Sequence, residues 1–269
     1  MEGKVALVTG ASSGIGAAIV RSLARRGWSL VLAARRLDLL EALSQELESS
    51  AERGRYLPVR MDVSELESLS TAVTDALASF GRIDLLVNNA GIGSLDWHEY
   101  HDPLRDIEAS VRVNLVGVMQ LTRAILPGML ERRQGHIINI ASVASLIGSP
   151  MYSVYAATKF GLRGYSEALR REVEPRGVRV SVVYPGPVRT EFGAGSAASR
   201  RRRWRTPRFL TLPPDSVGEA VFRLTQRPKR SLVIPGVMLP LIWVNALFPW
   251  LLDWAVAEAF VRPEKRAEE

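Results

Sequence analysis

Thr9-Gly10-Ala11-Ser12-Ser13-Gly14-Ile15-Gly16 is the stretch on which the reading of this chain turns. It follows Lys4–Thr9, an apolar run that reads as a β-strand, and opens a segment from Gly14 to Arg26 with apolar residues at helical spacing. Glycines have a physical task between a strand and a helix. Lacking Cβ atoms, they permit a tight turn, let a pyrophosphate approach the backbone, and let the helix pack closely on the strand. The helix N-terminus adds unpaired N–H groups and a partial positive charge. Glycine serves turns of every kind, so the position of the triplet between strand and helix carries the weight.

The alternation continues outward. Ser29–Ala34 reads as a strand, and Leu37–Glu52 repeats Leu39, Leu40, Leu43 and Leu47 at helical spacing. Arg55–Met61 is strand-like, Ser64–Phe80 helical and Ile83–Val87 a short buried strand. A long helix is expected from about Asp106 to Arg132, then a strand at His136–Ile140, a helix at Tyr152–Glu174 and a strand at Val178–Val183. Asp215–Gln226 reads as a helix with Asp215 as its N-cap, and Ser231–Ile234 as the last strand. Short apolar strands alternating with helices imply one doubly wound α/β domain over residues 1–269. Its seven-stranded parallel sheet is expected to carry helices on both faces.

Two parts stand out within that domain. Residues 187–214 form a loop-rich insertion with the run Arg200-Arg201-Arg202-Arg203-Trp204-Arg205. A run of like charge is more often a solvated face, the reading preferred here, than a site for a phosphate or carboxylate. Residues 235–261 form an apolar extension, and no charged residue occurs from Ser231 to Leu252. Pro235, Gly236, Pro240, Asn245 and Pro249 interrupt it, while Trp243, Leu247, Trp250 and Trp254 follow helical spacing as one broad apolar face. Pocket cover or subunit packing ranks first for that face, peripheral membrane contact second and a true span last.

Composition narrows the chemistry. With 47% hydrophobic and 23% charged residues the chain suits a globular core. The absence of cysteine excludes disulfides, thiolate nucleophiles and cysteine-ligated metals. Only His98, His101 and His136 are available as imidazole ligands, so no metal site is expected; His98 and His101 sit in a polar stretch expected to face solvent. The net charge of +7, nearly all from arginine, favours anionic partners. The arginines form no recognised nucleic-acid motif, so nucleic acid is not expected as a partner. No basic and apolar leader precedes the first strand, so the expected location is cytoplasmic, with peripheral membrane association as the variation.

The end of the second expected strand points to the nucleotide. Ala33-Ala34-Arg35-Arg36 offers no carboxylate to repel a 2′-phosphate and two guanidiniums that can clamp it, with the Ser12 hydroxyl nearby. This predicts NADP(H) over NAD(H), although Arg36 also reads as a solvated side chain. Tyr155 and Lys159 lie four apart on an expected helix and so share a face. A nearby ammonium favours the phenolate and is expected to lower the proton affinity of Tyr155 towards the working range. Ser142 lies at the carboxyl end of an expected strand, where ligands bind in open α/β sheets.

Taken in order, Thr9-Gly10, Gly14, Gly16, Asp62-Val63, Asn88-Asn89-Ala90-Gly91, Asn114, Ser142, Tyr155, Lys159 and Pro185-Gly186 resemble the short-chain dehydrogenase/reductase family over about residues 3–190. The resemblance implies a Rossmann-type fold and hydride transfer between NADP(H) and a carbonyl or alcohol. Tyr155 would be the acid/base, Ser142 would bond the substrate oxygen, Lys159 would hold the nicotinamide ribose, and Asn114 would support a proton relay. Gly10, Ser12, Ser13, Gly14, Ile15 and Gly16 would cradle the phosphates, with Arg35 and Arg36 at the 2′-phosphate. Asp62 and Val63 would sit beside the adenine, and Asn88, Asn89, Ala90 and Gly91 would flank the adenosine side and support the central strands. Pro185, Gly186, Val188 and Thr190 would line the nicotinamide. Residues 187–214 would close over the substrate, for which the apolar extension suggests a lipid-like or otherwise hydrophobic carbonyl. A homodimer or homotetramer through helices near 106–132 and 152–174 is also implied. The competing readings are a non-catalytic NADP(H)-binding protein and a membrane-associated scaffold. The joint presence of Asn114, Ser142, Tyr155 and Lys159 argues against both, because a binder has no need of Tyr155.

Overall fold

A computed structural model of the chain describes residues 3–50, 53–192 and 211–265. The fold grows from β1 (Val5–Thr9), in which every residue is buried. Side chains alternate across a strand, so Val5 and Leu7 enter one apolar core while Ala6 and Val8 enter another. A strand apolar on both faces needs helices on both sides of its sheet. They are supplied by α1 (Gly14–Ala24), β2 (Ser29–Ala34), α2 (Leu37–Ser49), β3 (Tyr56–Arg60), α3 (Leu66–Phe80) and β4 (Leu85–Asn88) in turn. Next come α4 (Pro103–Glu131), β5 (Gly135–Ile140), α5 (Ser153–Val173), β6 (Val178–Pro185), α6 (Pro214–Gln226) and β7 (Ser231–Ile234).

The seven strands pair in parallel in the order β3-β2-β1-β4-β5-β6-β7. Helices α1, α2 and α6 cover one face through Ile19, Leu40 and Val221, and α3, α4 and α5 cover the other through Leu69, Leu121 and Leu169. Strand order reverses direction between β1 and β4, which opens a crevice at the carboxyl ends of the strands, where ligands bind in such sheets. Ser22 of α1 and Arg26, just past its end, both bond Glu219 of α6, at 3.0 and 2.6 Å, and tie the first helix to the last core helix.

Several boundaries differ from expectation for identifiable reasons. Helix α4 begins at Pro103 rather than near Asp106, because Asp102 caps it by accepting from the Leu104 and Arg105 amides at 3.0 and 2.7 Å. Two stretches of it, Pro103–Glu108 and Arg112–Val116, are π-helical. By length and composition α4 could cross a membrane, but it packs on the sheet through Leu121, Ile125 and Met129. His101 does not face solvent: it is buried beneath the start of α4, edge-on to His98 and 4.0 Å from the Asp106 carboxylate. Asp215 is not the N-cap of α6. Pro213 takes that place with Pro214 following, and Asp215 lies in the first turn, where its charge complements the helix dipole.

The expected single apolar face in the tail is broken in two. Helix α7 (Leu239–Leu247) ends at Phe248, and α8 (Pro249–Val256) starts on a proline that cannot donate back to the preceding turn. The segments Gly236–Leu247 and Pro249–Val261 meet at 108°. The arginine run Arg200–Arg203 and Trp204 lie outside the described residues.

Candidate active site

The loop from β1 into α1 forms one wall of the crevice. Gly14 adopts φ +54°, and a Cβ on Gly16 would stand 2.0 Å from the Gly10 carbonyl oxygen, so neither place admits a side chain without moving backbone. The Asn89 side chain donates to the Thr9 and Gly10 carbonyls at 2.9 and 3.3 Å, and the Thr9 hydroxyl accepts from the Asn89 and Ala90 amides at 2.9 Å each. These bonds lock the ends of β1 and β4 together. Ile15 packs on the core beneath the loop. Ser13 is the N-cap of α1 but makes no side-chain cap, and the first turn holds no acid. Such a turn suits an anion.

Arg36 reaches back over this loop. Its guanidinium donates to the Ser13 and Ser12 hydroxyls at 2.8 and 3.2 Å, so it is engaged rather than merely solvated, although exposed. Arg35 is exposed beside it. One guanidinium and two hydroxyls converge where β2 ends, with no carboxylate between them. That donor set matches a phosphate monoester. Asp62, at the end of β3, accepts from the Ser64 amide and hydroxyl at 2.9 and 2.6 Å, and Val63 is buried.

The other wall is a buried polar assembly. Asn114 sits in the second π-helical stretch of α4, fully buried. Its side chain exchanges two bonds of 2.8 Å with the Ile92 backbone and donates to Thr158 at 3.2 Å. It therefore ties the loop after β4, beside Gly91, to α5. One turn of α5 separates Tyr155 from Lys159, whose Nζ donates to the Ile140 carbonyl at 3.1 Å and lies 5.7 Å from the Tyr155 ring centre. Ser142 caps a short turn by accepting from the Ala144 amide at 3.1 Å, and its side chain also shares a hydrogen bond with the Tyr155 hydroxyl.

Burial dominates the proton affinities here. It pushes the Tyr155 phenol up to about 12, opposed by the Ser142 hydrogen bond and helped by neighbouring Tyr152. It also pushes the Lys159 ammonium down to about 8. The expected lowering of Tyr155 by Lys159 is not found: the opposing influence is the Ser142 hydrogen bond, and burial prevails because a phenolate in this dry pocket loses its hydration. At neutral pH the arrangement holds a protonated phenol above a mainly charged ammonium. Such a pair can deliver a proton to an oxygen bound near Ser142.

A strand-like segment after β6 closes the crevice. Val188 bridges Leu212, and Gly186 donates to the Ile234 carbonyl at 2.7 Å, so Pro185, Gly186 and Val188 are fixed at the sheet edge. Thr190 then crosses over Gly14, its methyl carbon 3.0 Å from where a Cβ there would stand. This crossing brings the glycine loop and the Tyr155 assembly to one crevice.

Sequence reasoning missed two features. Asn88 donates to Asn139 and Thr122 at 2.8 and 3.2 Å, and Asn139 donates to Ser166 at 2.8 Å, a buried polar chain linking β4, β5, α4 and α5. Asn88 was expected to support the central strands, but its partners were missed, and an asparagine inside the apolar run His136–Ile140 was their only signal. Phe192 packs its ring 5.6 Å from Tyr155, against Gly93. Nothing in the sequence marks it, because the contact depends on how the chain leaves β6.

A parallel sheet reversing at its first strand, with a glycine loop and a buried tyrosine–lysine pair facing one crevice, defines an oxidoreductase of the doubly wound nucleotide-binding class. Residues 4–201 match the model of the short chain dehydrogenase family, and the chain belongs to that family. It is 32% identical to a dehydrogenase/reductase SDR family protein 7-like from Drosophila melanogaster, over 98% of this chain and 82% of that one. An alcohol dehydrogenase from Thermococcus sibiricus, solved with 5-hydroxy-NADP, shares 32% identity and a TM-score of 0.76 over 86% of this chain and 95% of its own. A short chain dehydrogenase/reductase from Burkholderia phymatum, solved with NAD, shares 26% identity and a TM-score of 0.81, covering 93% and 95%.

Proposed function

We propose that this protein is an NADP(H)-dependent oxidoreductase that moves a hydride between the nicotinamide and a carbonyl or secondary alcohol, with Asn114, Ser142, Tyr155 and Lys159 as its working residues. The observation that carries this is the buried Tyr155 hydroxyl, bonded to Ser142 and one helical turn from Lys159 in the same crevice as the glycine loop. When bound, the nicotinamide supplies or accepts the hydride. In reduction Tyr155 gives its proton to the substrate oxygen, and in oxidation it takes one back. Ser142 accepts from the Ala144 amide with one lone pair, and its hydrogen, shared with Tyr155, would turn to that oxygen when substrate binds. Lys159, fixed by the Ile140 carbonyl, is placed to hold the ribose, and Asn114 keeps the Ile92 loop and α5 in register.

The cofactor preference rests on Arg36, Ser12 and Ser13, with Arg35 alongside. A 2′-phosphate replacing the Ser–Arg hydrogen bonds would gain charge-assisted ones. The NADP-type ligand of the Thermococcus sibiricus relative is consistent with this, and the NAD of the Burkholderia phymatum structure makes it a matter for measurement. A hydrophobic or lipid-like substrate is supported by Phe192 and Tyr152 packed about Tyr155 and by the adjoining apolar tail. Residues 187–214 would close over it as a substrate loop. The experiment is a panel of short polar and long apolar carbonyls and alcohols followed through NADPH absorbance, with Tyr155→Phe as control. Turnover of long apolar carbonyls that vanishes in the control is expected. Equal turnover in the control overturns the assignment of Tyr155, and a clear preference for short polar ketones overturns the substrate class.

A further inference from the structure

The tail does more than end the chain. Its inner side is seated at three places around the crevice. Met238 lies against Gly186, its sulfur 2.6 Å from where a Cβ there would stand. Asn245 donates to the Leu146 carbonyl, just after Ser142, at 3.3 Å, and the Phe260 ring meets Trp97 at 6.4 Å. The outer side has no cover among the described residues. Leu239, Trp243 and Leu247, four residues apart on α7, are 42, 63 and 60% exposed. Across the bend Trp250, Leu251 and Trp254 of α8 are 64, 49 and 64% exposed. No residue of either helix is buried.

The chemistry of this face names its occupant. The uncharged run Ser231–Leu252 is preceded by Arg227, Lys229 and Arg230, whereas the residues after it mix Arg262, Lys265 and Arg266 with Asp253, Glu258, Glu264, Glu268 and Glu269. Between Ser231 and Arg262 the only acids are Asp253 and Glu258, and Glu258 is paired with Arg262. Exposed tryptophans beside apolar side chains, with the Arg227, Lys229 and Arg230 cluster leading into them, suit the headgroup level of an anionic bilayer. The bend argues against a straight span. Gly236–Leu247 and Pro249–Val261 reach about 18 and 20 Å and meet at 108°, so neither stretch alone crosses a hydrocarbon core about 30 Å thick.

We infer that α7 and α8 form a membrane-docking element that lies in the interface of an anionic lipid bilayer and holds the mouth of the crevice against it. The inference stands apart from the reaction proposed above, since binding is read without turnover. The test is co-sedimentation of the full chain with phosphatidylcholine vesicles, with and without phosphatidylserine. The triple variant Trp243→Ser, Trp250→Ser, Trp254→Ser and the flank variant Arg227→Glu, Lys229→Glu, Arg230→Glu are measured beside it. The wild type should favour the serine-containing vesicles, and each variant should lose binding at least about tenfold. In the wild type alone, brominated acyl chains should quench the tryptophan fluorescence, a reading that survives any folding defect in the variants. Wild-type protein that stays in the supernatant, or that escapes quenching, overturns the inference. So does sedimentation velocity showing a dimer that the tryptophan variant converts to monomer, which would give the face to a second copy.

Discussion

The two walls of the crevice are built on opposite principles. The Tyr155 wall is dry: Asn114, Thr158 and Lys159 are almost wholly buried, and each polar atom discussed there has a partner within the fold. The Arg36 wall is wet, with exposed guanidiniums over a glycine turn. Burial is what displaces Tyr155 and Lys159 so far from their ordinary proton affinities. Exposure leaves Arg35 and Arg36 open to water, which suits recognition of a phosphate that arrives from it. Proton transfer is placed where the dielectric is low, and anion recognition where charge is cheap to hold.

The contrast can be broken first at Tyr155. Tyr155→Phe removes the proton donor while keeping the ring packed on Phe192, so kcat should fall by about 10³-fold. NADPH affinity by fluorescence titration should hold within about twofold, because the glycine loop, Arg36 and Lys159 are left in place. Parallel losses of both would dissolve the division of labour.

His136 tests what dryness costs elsewhere in the same half of the sheet. Burial, aided by Arg179, pushes its imidazole down to about 4, and it shares a 2.8 Å hydrogen bond with Ser181. The unfolded chain takes up this proton near pH 6.5 and the fold resists until about 4. Stability should therefore be lost as pH falls from 6.5 towards 4, by up to about 3 kcal/mol from this group. Urea unfolding of wild type and His136→Gln at pH 7 and pH 4.5 should show a shallower decline in the variant; identical slopes would remove His136 from the account.

On the wet wall the effects should be smaller. Arg36→Ala, with kcat/KM measured for NADPH and NADH, should cut the preference for NADPH about tenfold and leave turnover at saturation unchanged. A preference that survives would move recognition to Arg35. The smallest effect concerns Lys159. Its charge disappears as pH rises through about 8, so NADPH affinity should weaken by a few-fold between pH 7 and pH 9. A flat profile would show that its ammonium does not contribute at the ribose.

Much of this was legible in the chain. The all-apolar β1 and the helical spacing in Leu37–Ser49 required a parallel sheet covered on both sides, because no other arrangement buries both faces of such strands. The bounds of β7 agree with expectation at both ends. Legibility failed where a residue's environment came from distant chain. His101 reads as polar surface but lies beneath α4, and Arg36 reads as solvated but crosses to Ser12 and Ser13, more than twenty positions away. The tail reads as one amphipathic face until Phe248 and Pro249 turn it through 108°.

Taken by itself, the sequence determined the family, the layered sheet and the identity of the residues at the crevice, because periodicity and turn chemistry are local and survive without coordinates. Only the tertiary structure decided how those residues behave. It set burial against the Ser142 hydrogen bond and let burial win at Tyr155, it engaged Arg36 over the glycine loop, and it left the outer face of the tail uncovered among the described residues. Desolvation and contact are properties of neighbours in space, and no spacing along the chain records them.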